Sequence, residues 1–430
     1  MEQMRELQNM DTSATAEKNS AVQTGKPAYA NGNKVPNVPP LRFPEFTEEW
    51  KEFCLEDLCT FLSGGTPSID NMEYWNGEIP FVSAVAMHDT IIKRTPLSLT
   101  KKGLLNGSKL LKANNILLLV RGSMLWNKIP VCYNSFDVAF NQDVKGIVPS
   151  KNITSLFLLN WILSHENRIK HMVTGTGIGA GKLDSTELFA LKVKIPSLHE
   201  QNKIESFLSL IDDRIATQNK IIDKLQSLMS GIVVSHFNSC NTKSTISIKD
   251  LGEAYSVGNL SKDDLSEEGK PCILYGELFT TYGCVACEVQ NRTNKYAQAT
   301  LSRAGDLLFP ASTTVDAISL IAPTSLQTDG VYVAGDMFGI HISPQYKSEY
   351  ISYLLNYVYN RKLSKYAQGS TIIHLHYADV KNATIQVPCL EEQNKCAGLL
   401  EALQTKLDIA KQLIDCYQIQ KSYLLQRMFI

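Results

Sequence analysis

The feature that most constrains this 430-residue chain is a string that occurs twice. Pro196-Ser-Leu-His-Glu-Gln-Asn-Lys203 returns as Pro388-Cys-Leu-Glu-Glu-Gln-Asn-Lys395, with Glu392 lying 192 residues after Glu200. Self-similarity at a fixed period means that each copy is a structural unit. The same offset, within a residue, recurs upstream. Leu55-Glu-Asp-Leu58 matches Ile248-Lys-Asp-Leu251, Ala113-Asn-Asn-Ile-Leu117 matches Ala304-Gly-Asp-Leu-Leu308, and Asp143-Val-Lys-Gly-Ile147 matches Asp336-Met-Phe-Gly-Ile340. Between these anchors the halves differ widely. The chain is a duplicated unit with a shared scaffold and divergent loops.

Downstream of each string the apolar pattern turns helical. Leu208, Ile211, Ile215, Gln218, Ile222, Leu225, Met229 and Ile232 alternate spacings of three and four residues. Their counterparts Leu400, Leu403, Leu407, Ala410, Ile414, Tyr417, Lys421 and Leu424 keep the same register. A period of 3.5 held this long makes a coiled-coil seam, with Gln218 facing Ala410, and Lys421, as polar exceptions that fix register. Ordinary core packing gives one such stripe; two in identical register, each closing a repeat, favour the seam.

The rest reads more coarsely. Residues 1–40 are polar and turn-rich, as in a disordered tail. Residues 41–197 and 244–388 mix short β-like runs (Asn115–Val120, Val131–Val138, Asp306–Phe309, Val331–Ala334) with one helix near each end, about Thr154–Met172 and Ser348–Tyr366. Each is an α+β domain, followed by a spacer helix over 198–243, with its linker, or 389–430. The expected fold is therefore α+β: two such domains separated by two long antiparallel coiled-coil helices, with a pseudo-two-fold repeat. The apolar content of 44% suits a water-soluble protein, and no run reaches the length of a membrane span. Met1–Glu17 lacks the apolar core of a signal peptide, and ten scattered cysteines read as reduced thiols, so the cytoplasm is expected.

A helix over Glu200–Ile232 spans about 50 Å at 1.5 Å per residue. Returning the second helix beside the first places a similar domain at each end, and 50 Å corresponds to about 15 base pairs of duplex. Paired readers on half-sites at fixed spacing are a standard way to use DNA symmetry. Because the two domains differ, such a site is bipartite and non-palindromic. The net charge of −1 argues against a strongly basic, free-standing DNA binder, so cationic groups must be local or come from partners.

The opening Leu41-Arg-Phe-Pro-Glu-Phe-Thr-Glu-Glu-Trp50 and the twin Pro-x-Leu-x-Glu-Gln-Asn-Lys strings resemble those of Type I restriction–modification specificity subunits over residues 41–430. The resemblance implies two target recognition domains on antiparallel spacer helices. It implies assembly with two modification subunits, which methylate adenine with S-adenosylmethionine, and two restriction subunits, which use ATP and Mg2+ to translocate and cut double-stranded DNA. It also implies that this chain has no catalytic site.

Phosphates and base edges call for Arg, Lys, amide and hydroxyl side chains near flexible backbone. Two loops in each half offer them. The first half has Arg121, Ser123 and Lys128, then Thr174, Thr176 and Lys182 in a Gly-rich stretch. The second has Ser312, Thr313 and Thr314, then Gln368, Ser370, Thr371, His374 and His376. In related subunits the later loop tends to lie on the DNA face, which places Gly175–Lys182 and Gly369–His376 there. Solvated surface loops are the plain alternative.

The enzyme motifs are near misses. Gly175–Lys182 lacks the first Gly of a phosphate loop, where Thr176 stands, and its Mg2+-binding hydroxyl, where Leu183 stands. His199-Glu200 lacks the second His of a zinc protease, Cys284-x-x-Cys287 lacks a second pair, and Glu49-Trp-Lys51 reads as a capped helix start or solvated surface rather than as a nuclease motif. Pro39-Pro40 is followed by Leu41, unlike the Pro-Pro-Tyr/Phe string of adenine methyltransferases. No nucleotide or metal site is assigned. A two-headed protein-interaction scaffold fits the repeat and coiled coil equally well and is slightly favoured by the near-zero net charge, but the family-like strings argue against it; an ATP-dependent enzyme rests on the damaged phosphate loop alone.

Overall fold

The computed structural model describes residues 37–176 and 179–430. The tail expected over 1–40 falls outside these residues as far as residue 36. Its last residues are held: Trp50 donates its backbone N–H to the Asn37 carbonyl at 2.8 Å, and Pro39 is buried. The chain forms two compact units, one from the described residues up to Ser206 with Tyr423–Ile430, the other from Phe207–Ser422.

In the first unit a five-stranded sheet is built on Asn115–Leu119, whose Ile116–Leu119 are fully buried between Val131–Asn134 and Val144–Pro149. A second sheet of four strands carries Trp75–Val82 and Val138–Phe140. The run expected as one strand over Val131–Val138 is therefore two strands in two sheets. The buried Asn134 amide makes the corner by donating to the carbonyls of Lys112 and Phe136, and Asp137 accepts from the Ala113 N–H. Three short strands, β1 (Arg121–Gly122), β2 (Val173–Gly175) and β3 (Gly181–Leu183), form a separate small sheet in the order β2-β3-β1. Helix α1 (Ser155–Ser164) is capped by the Thr154 hydroxyl, which accepts from the Phe157 N–H, and packs Phe157 edge-on to Trp50. The helix expected over Thr154–Met172 breaks at His165, and Glu166–Lys170 forms a second turn.

The long helix α2 (Leu198–Ser239) extends the sequence expectation at both ends. The repeated string acts here as a staple. Gln201, fully buried, donates to the carbonyls of Pro196 and Asn152 and accepts from the Thr154 N–H, so α2 is locked to the start of α1. Glu200 accepts a bidentate pair from Arg42 at 2.7 Å each and the Trp50 indole N–H at 3.2 Å.

The second unit repeats the scheme. Its main sheet orders Gly252–Ser256, Met337–Ile342, Asp306–Pro310, Thr324–Leu326 and Val285–Ala286. A five-stranded companion sheet is built on Lys270–Leu274 and Tyr332–Ala334. Strands β4 (Ser312–Thr313) and β5 (Ile373–His374) pair separately, and α3 (Ser348–Leu354) leads into further helical turns to Tyr366. The anchors seen in the sequence are matching structures. Leu55–Leu58 and Ile248–Leu251 are each one helical turn with a capping box, closed by Asp57 and Asp250. Asn114 and Gly305, equivalent in the repeat, both take positive φ, 65° and 87°, before their strands; Asn and Gly are the residues that tolerate this. Gln393 repeats the staple of Gln201, donating to the Pro388 carbonyl and accepting from the Lys347 N–H at 2.8 Å.

Helix α4 (Leu390–Met428) runs antiparallel to α2 within this unit. Asp212 pairs with Lys421 at 2.5 Å and Arg214 lies over the Tyr417 ring, while Met229, far along α2, shares a core with Leu400 and Leu407 near the start of α4. Ile222, Leu225, Ile232 and Leu403 pack against that core. Every position of the two stripes is buried or half-buried, and the positions between are mostly exposed. This antiparallel line puts Gln218 beside Tyr417, with which it lines a shallow groove, rather than opposite Ala410.

Candidate nucleic-acid interface

The register of the small sheet in the first unit brings together residues distant in sequence. Lys182 on β3 pairs with Thr174 on β2 and with Arg121 on β1. Side chains at paired positions of adjacent strands point to the same face. Thr174, Lys182 and Arg121 therefore form one row, and all three are exposed. The opposite face is apolar and buried, through Leu183 and the adjoining Leu125. Thr176 turns the hairpin, its N–H and hydroxyl both donating to the Ala180 carbonyl at 2.8 Å. Residues 177 and 178 of the Gly-rich stretch lie outside the described residues. Asp184, two residues beyond Lys182, is held below the usual carboxylate range by the N–H groups of Glu187 and Thr186, so it caps the next turn.

Ser123 is exposed at the start of the turn after β1. Lys128 lies apart from the row: its ammonium donates to the His88 carbonyl at 3.2 Å. Trp126, which the sequence reading passed over, stands 44% exposed against the hairpin and donates its indole N–H to the Gly179 carbonyl at 3.0 Å. An exposed aromatic fixed beside a cationic row has the chemistry to stack on or wedge between bases.

The second unit builds the same row from different residues. Ser312 on β4 pairs with His374 on β5, and His374 bridges to Gln368 across the hairpin. These are the counterparts of Arg121, Lys182 and Thr174. The backbone links match too: Leu375 N–H donates to the Ala311 carbonyl as Leu183 N–H does to that of Val120, each at 2.9 Å. Gly369 (φ +117°) makes the hairpin turn, where a Cβ would lie 2.1 Å from the Ile372 carbonyl oxygen. Gln368, Ser370, Thr371 and Thr314 are exposed, while Ser312 is 7% exposed and Thr313 half-buried, its hydroxyl accepting from the Val315 N–H. The His374 ring stacks on that of His376, 5.9 Å between centroids and 8° between planes.

A further shared feature was missed in the sequence. A short basic helical segment leads into each hairpin, with Arg168 and Lys170 in the first unit and Arg361, Lys362 and Lys365 in the second. The signal was present as Arg/Lys pairs ending each expected helix. Of the near-miss motifs, the Glu49-Trp-Lys51 segment departs from the expected helix start or surface: Glu49 and Lys51 are exposed, but Trp50 is buried and Lys51 opens a strand. Glu200 is engaged by Arg42 and Trp50, His199 lies edge-on to Phe46, and Trp50 is buried. Burial pushes the Cys284 thiol up to about 12, while Cys287 is exposed.

A family model described as the Type I restriction modification DNA specificity domain matches the chain twice, over residues 47–227 and 241–416. The chain belongs to this family. It is 33% identical over 174 residues to the Escherichia coli Type I restriction enzyme EcoR124I/EcoR124II specificity subunit, covering 40% of this chain and 43% of that protein. With the Methanocaldococcus jannaschii Type I restriction enzyme MjaVIII specificity subunit it shares 24% identity over 89% of this chain and 91% of that one. The solved S subunit of a Type I restriction-modification system from M. genitalium has a similar fold, with a TM-score of 0.54 and 15% identity over 91% of this chain and 99% of that one. Among the described residues no helix is long and apolar enough to cross a membrane.

Proposed function

We propose that the chain is the sequence reader of a Type I restriction–modification complex, recognising a bipartite, asymmetric site in double-stranded DNA. The observation that carries this reading is the pair of equivalent rows, Thr174-Lys182-Arg121 and Gln368-His374, set on one scaffold with different side chains. The second row ends in Ser312, whose burial removes it from the face. Equivalent placement supplies one reading face per domain, and different donors give different half-sites. The basic segments before each hairpin fit phosphate contacts, which position a reader without selecting sequence. The first face carries two fixed cations and the second a stacked histidine pair with the Asp336 carboxylate 3.8 Å from His374 Nδ1, so the two half-sites draw on different chemistry.

In this reading α2 and α4 form the coiled coil that sets the spacer, and two modification and two restriction subunits complete the complex in the cytoplasm. Adenine methylation with S-adenosylmethionine, and cleavage with ATP and Mg2+, belong to those partners, and this chain directs them without catalysing either. Sequencing methylated bases in cells with and without the chain, partners expressed in both, tests the reading. Loss of one bipartite adenine-methylation motif is expected; no change in any motif overturns it.

A further inference from the structure

At the end of α2 and the start of α4, three side chains that take no part in the reading faces converge. His236 and Cys240 stand four residues apart on one face of the chain, the Cys240 N–H donating to the His236 carbonyl at 3.1 Å. Glu392 comes from the first turn of α4. Their ligand atoms all lie within 4.8 Å of one another, with His236 Nε2 3.3 Å from Glu392 Oε2 and the Cys240 sulfur 3.8 Å from the imidazole nitrogens. Metal–ligand bonds of about 2.0–2.3 Å at tetrahedral angles put nitrogen and oxygen about 3.4 Å apart, and nitrogen and sulfur about 3.6 Å apart. The Nε2–Oε2 separation agrees to about 0.1 Å and the sulfur–Nε2 separation to about 0.2 Å; because the sulfur is equally far from Nδ1, the imidazole turns about its Cβ–Cγ bond on binding to present Nε2 to sulfur and carboxylate together.

Two further observations point to a cation. His236 Nδ1 is 3.4 Å from the Tyr350 hydroxyl, leaving Nε2 for the Glu392 side. That is the outer-shell contact by which a ligand histidine is held in one orientation. The repeat supplies the other. Glu200, the counterpart of Glu392, is met by the fixed charge of Arg42. At the same place in the second copy, imidazole and thiol face the carboxylate, with Lys395 on its other oxygen. Where the first copy holds a guanidinium, the second holds ligands.

We propose that His236, Cys240 and Glu392 bind a divalent transition-metal ion, with Zn2+ the best fit to a nitrogen, sulfur and oxygen donor set. The fourth position falls to water, so Cys240 is the one thiolate ligand of the site. Binding releases the Cys240 proton to solvent as the thiolate–metal bond forms. The ion ties the end of α2 to the start of α4 within the second unit, so that the two long helices are joined there by coordination as well as by packing.

The test uses the purified full-length chain stripped with a chelator and titrated with Co2+, then Zn2+. One equivalent of Co2+ is expected to give a thiolate-to-cobalt charge-transfer band that Zn2+ abolishes. Cys240→Ser removes the band, His236→Ala and Glu392→Gln weaken binding by about tenfold or more, and Tyr350→Phe weakens it by about tenfold as an outer-shell loss. Cys287→Ser with Cys416→Ser, altering two exposed thiols elsewhere, leaves the band in place. A wild-type chain without the band at stoichiometric Co2+ overturns the site without reference to any variant. So does a band that survives Cys240→Ser or disappears in the Cys287/Cys416 variant.

Discussion

At the scale of single residues, the row on the first unit makes the sharpest demand. Arg121→Ala and Lys182→Ala each remove one exposed cation from β1 or β3 without touching the buried face beneath. Each is expected to weaken binding at the first half-site, by about 1–3 kcal/mol for a base contact or by a salt-dependence slope lower by about one for a phosphate contact. Anisotropy titrations of the assembled complex across a salt series distinguish these, and unchanged affinity and slope in both variants would remove the face. The exposure of these residues was legible because hydroxyl and cationic side chains beside glycines mark surface loops. Their alignment in one row was not, because register across three short strands depends on pairings far apart in sequence. Lys128 shows the cost: proximity along the chain placed it with Arg121, while its hydrogen bond ties it to the His88 loop. Glu205 carries a second prediction. Burial pushes its carboxyl up to about 7, although it accepts the Phe157 N–H at 3.0 Å. A folded-state value above the unfolded one means stability is fully present below the unfolded pKa and is lost as pH rises through about 7. Glu205→Gln keeps an accepting oxygen and cannot ionise. It is expected to raise the melting temperature at pH 8 and leave it nearly unchanged at pH 5; equal shifts at both would show that ionisation is not the cause.

At the scale of elements, the two long helices were the most readable part of the chain. A 3.5-residue stripe reports an inward-facing side directly, and both stripes are buried or half-buried along their whole length. The strands were half readable. Asp306–Pro310, continuously buried, was found from its apolar run, whereas the Val131–Val138 run concealed a corner made by side-chain hydrogen bonds from Asn134. The Glu-Gln-Asn-Lys string was recognised as a boundary, but its physical work was hidden. The two glutamines bond backbone groups upstream, and nothing local to the string reveals that. Leu407 tests the packing of the helices: it is 5% exposed and belongs to the core shared with Met229. Leu407→Ala is expected to cost about 2–5 kcal/mol, as large-to-small changes in packed cores do. Lys421→Ala, which breaks a partly solvated ion pair, is expected to cost about 1 kcal/mol or less. Chemical denaturation monitored by circular dichroism measures both, and equal costs would mean the stripe is not where stability resides.

At the scale of the whole molecule, the proposed reader divides labour between domains that choose bases and helices that choose spacing. That division can be tested by changing one without the other. One heptad inserted into α2 and one into α4, in matching register within the paired stretch, preserves the seam because seven residues are two turns of a 3.5-residue repeat. Each insertion adds about 10 Å at 1.5 Å per residue, which corresponds to about three base pairs at 3.4 Å each. The methylated motif of cells carrying the lengthened chain is expected to keep both half-site sequences and to widen its spacer by that amount. Affinity is expected to fall as well, because three base pairs out of about 10.5 per turn also rotate the groove by about 100°. A change of bases in either half-site would mean that the helices help to shape the reading faces. An unchanged spacer with restored methylation would mean that something other than the helices measures the gap.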